Sequence, residues 1–141
     1  MRAVFAALAL LGACTSPPRD LPPPNLPERT GTDPIVAARA DGVVFRAIGA
    51  SPDFVPHIHR NDAMIYLSWD SGAQEETFNQ VRVVLPAYRG TVYEANTERH
   101  DLRVEIRQGV CRDPNLGPEA FSASVTVHID GVVRRGCGRE L

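Results

Sequence analysis

Two histidines separated by one residue are the first candidates for chemistry in this sequence. On a β-strand, the imidazoles of His57 and His59 would lie on the same face. Together with His100 or His128 they would supply the three or four ligands that a zinc ion requires. Because those two histidines fall on separate turns or strands, the alternative is a solvent-facing pair beside Pro56. We expect no metal and no other cofactor.

Residue sets for covalent or acid–base catalysis are not recognisable in the sequence. No Gly-x-Ser-x-Gly motif places a serine nucleophile on a tight turn, and no glycine-rich phosphate-binding loop occurs. The neighbouring carboxylates of Glu75 and Glu76 fall in a turn-forming region and are typical of a solvated surface. We therefore expect a protein that is not an enzyme.

Cys14 ends a segment typical of a bacterial lipoprotein signal peptide. Met1-Arg2 provide a positive start, and residues 3–11 form an apolar run that is much shorter than the about 20 residues of a transmembrane helix. Leu11-Gly12-Ala13-Cys14 resembles the lipobox, in which small residues precede the cleavage site. We expect a signal peptide over residues 1–13 and acylation of Cys14. The alternatives are an ordinary secreted protein cut near Ala13 and a buried N-terminal helix.

Acylation of Cys14 would place the protein in the bacterial cell envelope. A single myristoyl chain binds a bilayer only reversibly, with an association constant of about 10⁴ M⁻¹. Lipoproteins that resemble this chain carry two or three acyl chains, palmitate among them, so the membrane is an expected partner through the N-terminal lipid. Thr15 rather than aspartate follows the cysteine, which favours the outer membrane, with the protein facing the periplasm.

Residues 14–40 are predicted to be the lipidated cysteine and a proline-rich tether. Seven prolines lie between residues 17 and 34. Such segments favour extended polyproline II, which rises about 3.1 Å per residue, so 20 residues would reach roughly 60 Å from the bilayer. Residues 35–40 are interpreted as an entry turn, and residues 41–141 as the β-domain.

In an oxidising compartment the remaining two cysteines form an even pair. We expect a disulfide between Cys111 and Cys137, which would close a loop of roughly 25 residues and contribute about 3 kcal/mol to the free energy of unfolding. The alternatives are free thiols and a redox or metal-binding pair. Arg112 and Asp113 form the candidate binding loop because the disulfide would fix them; the alternative is that they only shape the turn.

The composition favours one domain and argues against nucleic acid as a partner. The chain has 141 residues with a formal net charge of −2, and all 15 basic residues are arginines. No long basic block is present, whereas nucleic-acid-binding domains carry clustered basic residues. Every cation is therefore a guanidinium that can pair with a carboxylate through two hydrogen bonds.

Short alternating segments predict an all-β fold, either a small antiparallel β-barrel or a sandwich of seven to eight strands with one disulfide. Residues 63–69 are apolar on both faces and predict a central strand or barrel wall, and residues 78–85 predict another strand. Residues 54–60 are predicted to be an edge strand or a bulge because Pro56 lacks an amide donor. Asp130-Gly131 predicts a hairpin, but the face of Arg134 stays unassigned because two loop lengths remain open.

Three places resemble an uncharacterised family of bacterial predicted lipoproteins, whose domain sometimes accompanies META-type, heat-shock-inducible lipoprotein-like domains. They are Phe45–Gly49 with Pro52 and Phe54, then Cys111-Arg112-Asp113, then Gly136-Cys137 after a hairpin. Ser51 stands where the family has a glutamate, and Asn115-Leu116 replace its Met-Ser. The resemblance implies a small β-domain in which Cys111 pairs with Cys137, and it implies no known activity.

These observations favour a lipid-anchored envelope protein that acts as a non-enzymatic binding or structural accessory module. Its partner would be another envelope protein or a small ligand. One alternative is an inhibitor of a hydrolase such as lysozyme, because small lipid-anchored β-domains with one disulfide resemble such inhibitors. The other is a carrier of a metal or a small ligand, through His57 and His59 or through a barrel interior.

Overall fold

The computed structural model describes residues 33–50, 53–60 and 64–141. Cys14, the expected signal peptide and all of the expected tether before residue 33 lie outside these residues. The described elements are α1 Pro34–Ala40, β1 Val43–Ala50, β2 Asp53–His59, β3 Ile65–Trp69, β4 Gln74–Phe78, β5 Val81–Val84, β6 Gly90–Asn96, β7 Asp101–Cys111, a 3₁₀ turn Pro114–Leu116, β8 Phe121–Ile129 and β9 Val132–Glu140. No helix in the described part of the chain is long and apolar enough to span a membrane.

Helix α1 occupies the segment interpreted as an entry turn. The Asp33 carboxylate accepts a hydrogen bond from the backbone N–H of Ile35 at 2.9 Å, and Pro34 fills the first position, where its missing N–H costs nothing. Ala38 is buried. The helix belongs to the same compact unit as the strands, so folded structure begins before residue 41.

The strands form one sheet in the order β4-β3-β2-β1-β9-β8-β7-β6-β5. All neighbouring pairs are antiparallel, so the two outermost strands, β4 and β5, run in the same direction. Only Asn79 and Gln80 separate them. They are therefore two parts of one interrupted strand, the first paired with β3 and the second with β6. The result is a nearly closed up-and-down barrel with eight strand positions, which confirms the all-β prediction.

Side chains of the inner face fill the middle of the barrel. In the described part of the chain, seventeen buried residues form one apolar cluster. They are Phe45, Ala47, Phe54, Ile58, Ile65, Leu67, Trp69, Phe78, Tyr93, Ala95, Leu102, Val104, Ile106, Ala123, Val125, Val127 and Ile129. An eight-stranded barrel is just wide enough for side chains to fill, and here Val104, Val125 and Val127 are at most 1% exposed.

Glycines on β1 and β9 let two phenylalanine rings lie close to the backbone. A Cβ atom at Gly49 would collide with the Phe54 ring, and one at Gly138 would collide with the Phe45 ring. A Cβ atom at Gly136 would collide with the Ile48 carbonyl oxygen. These three positions therefore need glycine for space, because no side chain fits between β1, β9 and the aromatic rings.

The prediction that Pro56 places its strand at an edge is wrong, and the register irregularity that the β1–β2 pairing does contain lies between Val43 and Phe45, not opposite Pro56. Strand β2 lies between β1 and β3, with Pro56 directly opposite Leu67 of β3. On the other side, the paired positions of β1 skip Ala47 and Ile48, between the pairs Arg46–His57 and Gly49–Phe54. The sheet thus accommodates the missing amide donor of Pro56 by a short gap in the β1–β2 pairing. The β2–β3 pairing continues without interruption past Pro56.

The connections fall into two sets at opposite ends of the barrel. The turns after β3, β6 and β8, at residues 70–73, 97–100 and 130–131, share one end because the strands are antiparallel. The start of β1, the connections at residues 85–89 and 112–120, and the end of β9 share the other. We call the first the closed end, because ion pairs and hydrogen bonds join its turns, and the second the open end, because a cavity lies there.

Candidate functional site

A cavity of about 560 Å³ lies at the open end of the barrel, and we call it the cup. Its apolar wall consists of Phe45, Tyr93, Ile106 and Ala123. Thr91, Gln108 and Glu140 add polar groups. Ligand pockets in proteins are typically 300–1,000 Å³, so the cup has the size of a small-molecule site, and its accessible lining is about equally polar and apolar.

Strand register explains why these residues face the same space. Phe45 lies opposite Glu140 across β1 and β9, Ile106 lies opposite Thr91, and Gln108 lies opposite Ala123. Directly opposed residues point to the same face of a sheet, and this face is the barrel interior. The filled middle of the barrel then forms the floor of the cup.

Backbone hydrogen bonds fix the rim of the cup. Leu141 N–H donates to the Val44 carbonyl at 2.9 Å, which holds the end of β9 against β1. Gln108 N–H donates to the Arg89 carbonyl at 3.0 Å, which holds the connection before β6 against β7. Because each bond ties the end of one strand to its neighbour at the opening, the rim has a defined shape before any ligand enters.

The closed end carries a buried cation that sequence reasoning left unassigned. Asp130-Gly131 forms a two-residue turn, because Ile129 pairs with Val132, and Arg134 therefore lies on the inner face opposite Val127. Arg134 is 6% exposed. Its Nη2 donates to Asp70 Oδ1 at 3.1 Å, and its buried Nε has no hydrogen-bond partner among the described residues.

A second carboxylate at the closed end joins two turns. Asp130 Oδ2 lies 2.6 Å from His100 Nδ1, and Asp130 Oδ1 accepts the backbone N–H of Asp101 at 3.0 Å. The hydrogen bond with His100 and then the backbone N–H of Asp101 lower the pKa of Asp130 below its usual 3.8, because both stabilise the carboxylate. The His100 ring also packs edge-on against Trp69, with centroids 5.2 Å apart.

Further pairs connect the turns across this end. Arg99 pairs with Glu76, and the Asp53 carboxylate accepts the backbone N–H of Ser71. The Glu76 side chain is only 12% exposed, so its interpretation as a solvated turn residue is wrong: it lies in β4, on the same face as Leu67. These contacts bridge the turns at the closed end. The cup lies at the open end.

His57 and His59 lie on one face of β2, but His100 and His128 are elsewhere. Arg46 Nε donates to His57 Nε2 at 3.1 Å, which occupies the lone pair that a metal would need. Burial, followed by the charge of Arg46, lowers the pKa of His57 from its usual 6.5. Within the described ranges, no three His, Cys, Asp or Glu side chains are grouped as a metal site.

The expected disulfide joins Cys111 and Cys137. In the candidate binding loop, Asp113 Oδ1 accepts the backbone N–H of Asn115 at 2.9 Å and its side-chain amide at 3.1 Å. Asp113 therefore caps the 3₁₀ turn Pro114–Leu116, as the turn-shaping alternative requires. Arg112 is exposed.

A row of charges crosses the outer face of β5 to β8. Arg82, Glu94, Arg103 and His128 lie directly opposite one another across successive strands. Arg103 donates to Glu94 at 2.6 Å and to Glu105 at 2.8 Å. Alternating charges on neighbouring strands stabilise a sheet surface, so this row has a structural explanation.

No protein-family model, curated protein or solved structure matches this chain. The resemblance to a family of bacterial lipoproteins stays a prediction.

Sequence reasoning singled out none of the cup residues as a site. No signal in the sequence joined them, because Phe45, Thr91, Ile106, Ala123 and Glu140 lie in five different strands, β1, β6, β7, β8 and β9. Their convergence depends on which strand ends meet at the open end of the barrel, and that depends on the pairing of β1 with β9.

Proposed function

We propose that this chain is a lipid-anchored protein of the bacterial cell envelope whose barrel binds a small, mainly apolar molecule and catalyses no reaction. The cup is the observation that carries the proposal. It combines an aromatic and aliphatic wall, a filled floor and a polar rim in about 560 Å³. Removing apolar surface from water contributes about 25 cal/mol per Å². Because Phe45, Tyr93 and Ile106 are each only 7% exposed, the gain in affinity comes mainly from the apolar surface of the occupant itself.

The rigid surroundings of the cup support this proposal. Gln108 is anchored through its backbone to Arg89, and Leu141 to Val44, so little order has to be created when a ligand binds. Preorganised sites avoid part of the entropy cost of association. A displaceable fluorescent probe such as N-phenyl-1-naphthylamine should therefore bind the protein with one site and micromolar affinity.

A blocking variant tests the location of this site. Gln108→Trp adds a large side chain at an exposed position of the cup rim and should abolish probe binding. Glu98→Trp makes the same change at an exposed position of the closed end and should leave it intact. The chain with Cys14→Ser, which lacks the acylation site, avoids competition from detergent. Equal binding by both tryptophan variants would exclude the cup as the site.

The membrane part of the proposal depends on Cys14 and needs its own experiment. Mass spectrometry of the N-terminal peptide from the expressing bacterium should show a peptide that begins at Cys14 and carries acyl mass. Cys14→Ser should abolish this mass and release the protein from the membrane fraction, because the variant lacks the acyl chains that would hold the protein on the bilayer. An unmodified Cys14 in the membrane fraction would contradict the anchor.

A further inference from the structure

The charge and the aromatic rings of the cup indicate which ligands it selects. Among the described residues that line the cup, Glu140 is the only one with a charged side chain. It is exposed, and its side chain makes no hydrogen bond or ion pair with another described residue, although its backbone pairs with β1 opposite Phe45. Its carboxylate is thus available to a ligand.

Two arginines near the open end, Arg107 and Arg139, have partners outside the cup. The guanidinium carbon of Arg107 lies 3.9 Å from the centroid of the Tyr88 ring. Arg139 pairs with Glu119 at 3.1 Å and also covers the Phe121 ring. Because these cations lie on the outer face, they do not neutralise the carboxylate that faces the cup.

Two aromatic side chains lie in the same wall. Phe45 faces Glu140 directly across β1 and β9, and Tyr93 lines the same cavity. Aromatic faces attract cations, and sites for quaternary ammonium groups combine such rings with little competing positive charge. An apolar wall with two rings and one carboxylate that no described residue pairs with therefore suits an organic cation.

We propose that the cup selects ligands with an apolar body and an ammonium head group, which Glu140, Phe45 and Tyr93 recognise together. This inference rests on the proposed function, since it names the ligand class of the same site. The apolar body binds the inner wall, and the ammonium group lies beside Glu140 at the rim. A carboxylate or phosphate head group in that position is repelled by Glu140.

Three ligands with the same alkyl chain length separate the two proposals. Octyltrimethylammonium, 1-octanol and octanoate are titrated below their micelle concentrations into the chain with Cys14→Ser, by calorimetry at low salt. The cation should bind about 5- to 30-fold more tightly than 1-octanol, and octanoate should bind most weakly. Failure of all three to bind overturns the proposed function. Binding of 1-octanol or octanoate at least as tight as that of the cation overturns only the ammonium preference.

The variant Glu140→Gln tests whether Glu140 causes the preference for an ammonium head group. It should reduce the affinity for octyltrimethylammonium about fivefold or more and leave that for 1-octanol within about twofold. Glu98→Gln, at the closed end, removes the same charge from an exposed position and should change neither affinity. A loss of cation affinity in both variants would attribute the effect to net charge and overturn the role of Glu140. An unchanged thermal midpoint in Glu140→Gln shows that the fold is intact.

Discussion

At the scale of single residues, the two partners of the Arg134–Asp70 ion pair differ in how deeply they are buried. The Arg134 side chain is 7% exposed, whereas that of Asp70 is 52% exposed. An arginine stays charged under all ordinary conditions, so the barrel holds a permanent charge that depends on one partner. Asp70, by contrast, can be solvated by water if Arg134 is lost.

This inequality predicts different costs for removing the two partners. Asp70→Asn leaves Arg134 charged and buried without its carboxylate, and should lower the free energy of unfolding by about 2 kcal/mol. Asparagine, like aspartate, tolerates the left-handed backbone at this position (φ 52°). Arg134→Met should cost less than about 1 kcal/mol, because it removes the buried charge altogether. Urea unfolding followed by fluorescence of Trp69, the single tryptophan, measures both. A larger loss in Arg134→Met would contradict this account.

His57 should make the protein less stable as the pH falls. Burial and then Arg46 lower its pKa in the folded state from 6.5, so the unfolded chain binds a proton that the folded chain does not. Stability is therefore lost from about pH 6.5 downwards, towards the lower folded-state pKa. His57→Gln keeps an acceptor for Arg46 and should reduce this loss. An NMR titration of the His57 ring with a midpoint at or above 6.5 would disprove the assignment.

At the scale of elements, alternation and turn residues were sufficient to predict most strands. Leu102, Val104 and Ile106 alternate with charged residues in the sequence and are buried on one face of β7, and the Asp130-Gly131 turn is where it was expected. The residues predicted as one strand over 78–85 are interrupted at Asn79-Gln80, since Phe78 pairs with β3 and Val81 with β6. Such an interruption arises from a change of partner strand, which local sequence does not encode.

The candidate site could not be predicted because it depends on partners far apart in the chain. The face of Arg134 changes with a one-residue difference in the hairpin, and only the pairing of Ile129 with Val132 decides it. In the same way, Glu140 belongs to the cup because β9 pairs with β1 and places it opposite Phe45. For Pro56 the local rule itself misled. The rule that proline lies in edge strands failed because a short gap in the β1–β2 pairing accommodates Pro56 in an inner strand.

The disulfide should stabilise the barrel through the segment it closes. Cys111 and Cys137 are 26 residues apart, and Cys137 is 1% exposed. Replacing both, in Cys111→Ser with Cys137→Ser, should lower the free energy of unfolding by about 3 kcal/mol. Reduction of the unmodified protein should give a similar loss in urea unfolding. A change below about 1 kcal/mol in both experiments would show that the bond contributes little.

At the scale of the whole molecule, the two ends of the barrel have different chemistry. Arg134–Asp70, His100–Asp130 and Arg99–Glu76 join side chains at the closed end. The open end has a cavity in which Glu140 is the one charged side chain among the described residues that line it. Because the middle of the barrel is filled, a ligand bound in the cup should not reach the closed end.

Methyl NMR of isoleucine-labelled protein tests this claim most directly. Ile106 lines the cup, whereas Ile129 is 2% exposed and lies next to the turn at the closed end. Titration of 1-octanol into the chain with Cys14→Ser should shift the Ile106 methyl resonance in a saturable way and leave that of Ile129 in place. An unchanged Ile106 resonance, or a shift confined to Ile129, would contradict a binding cup at the open end.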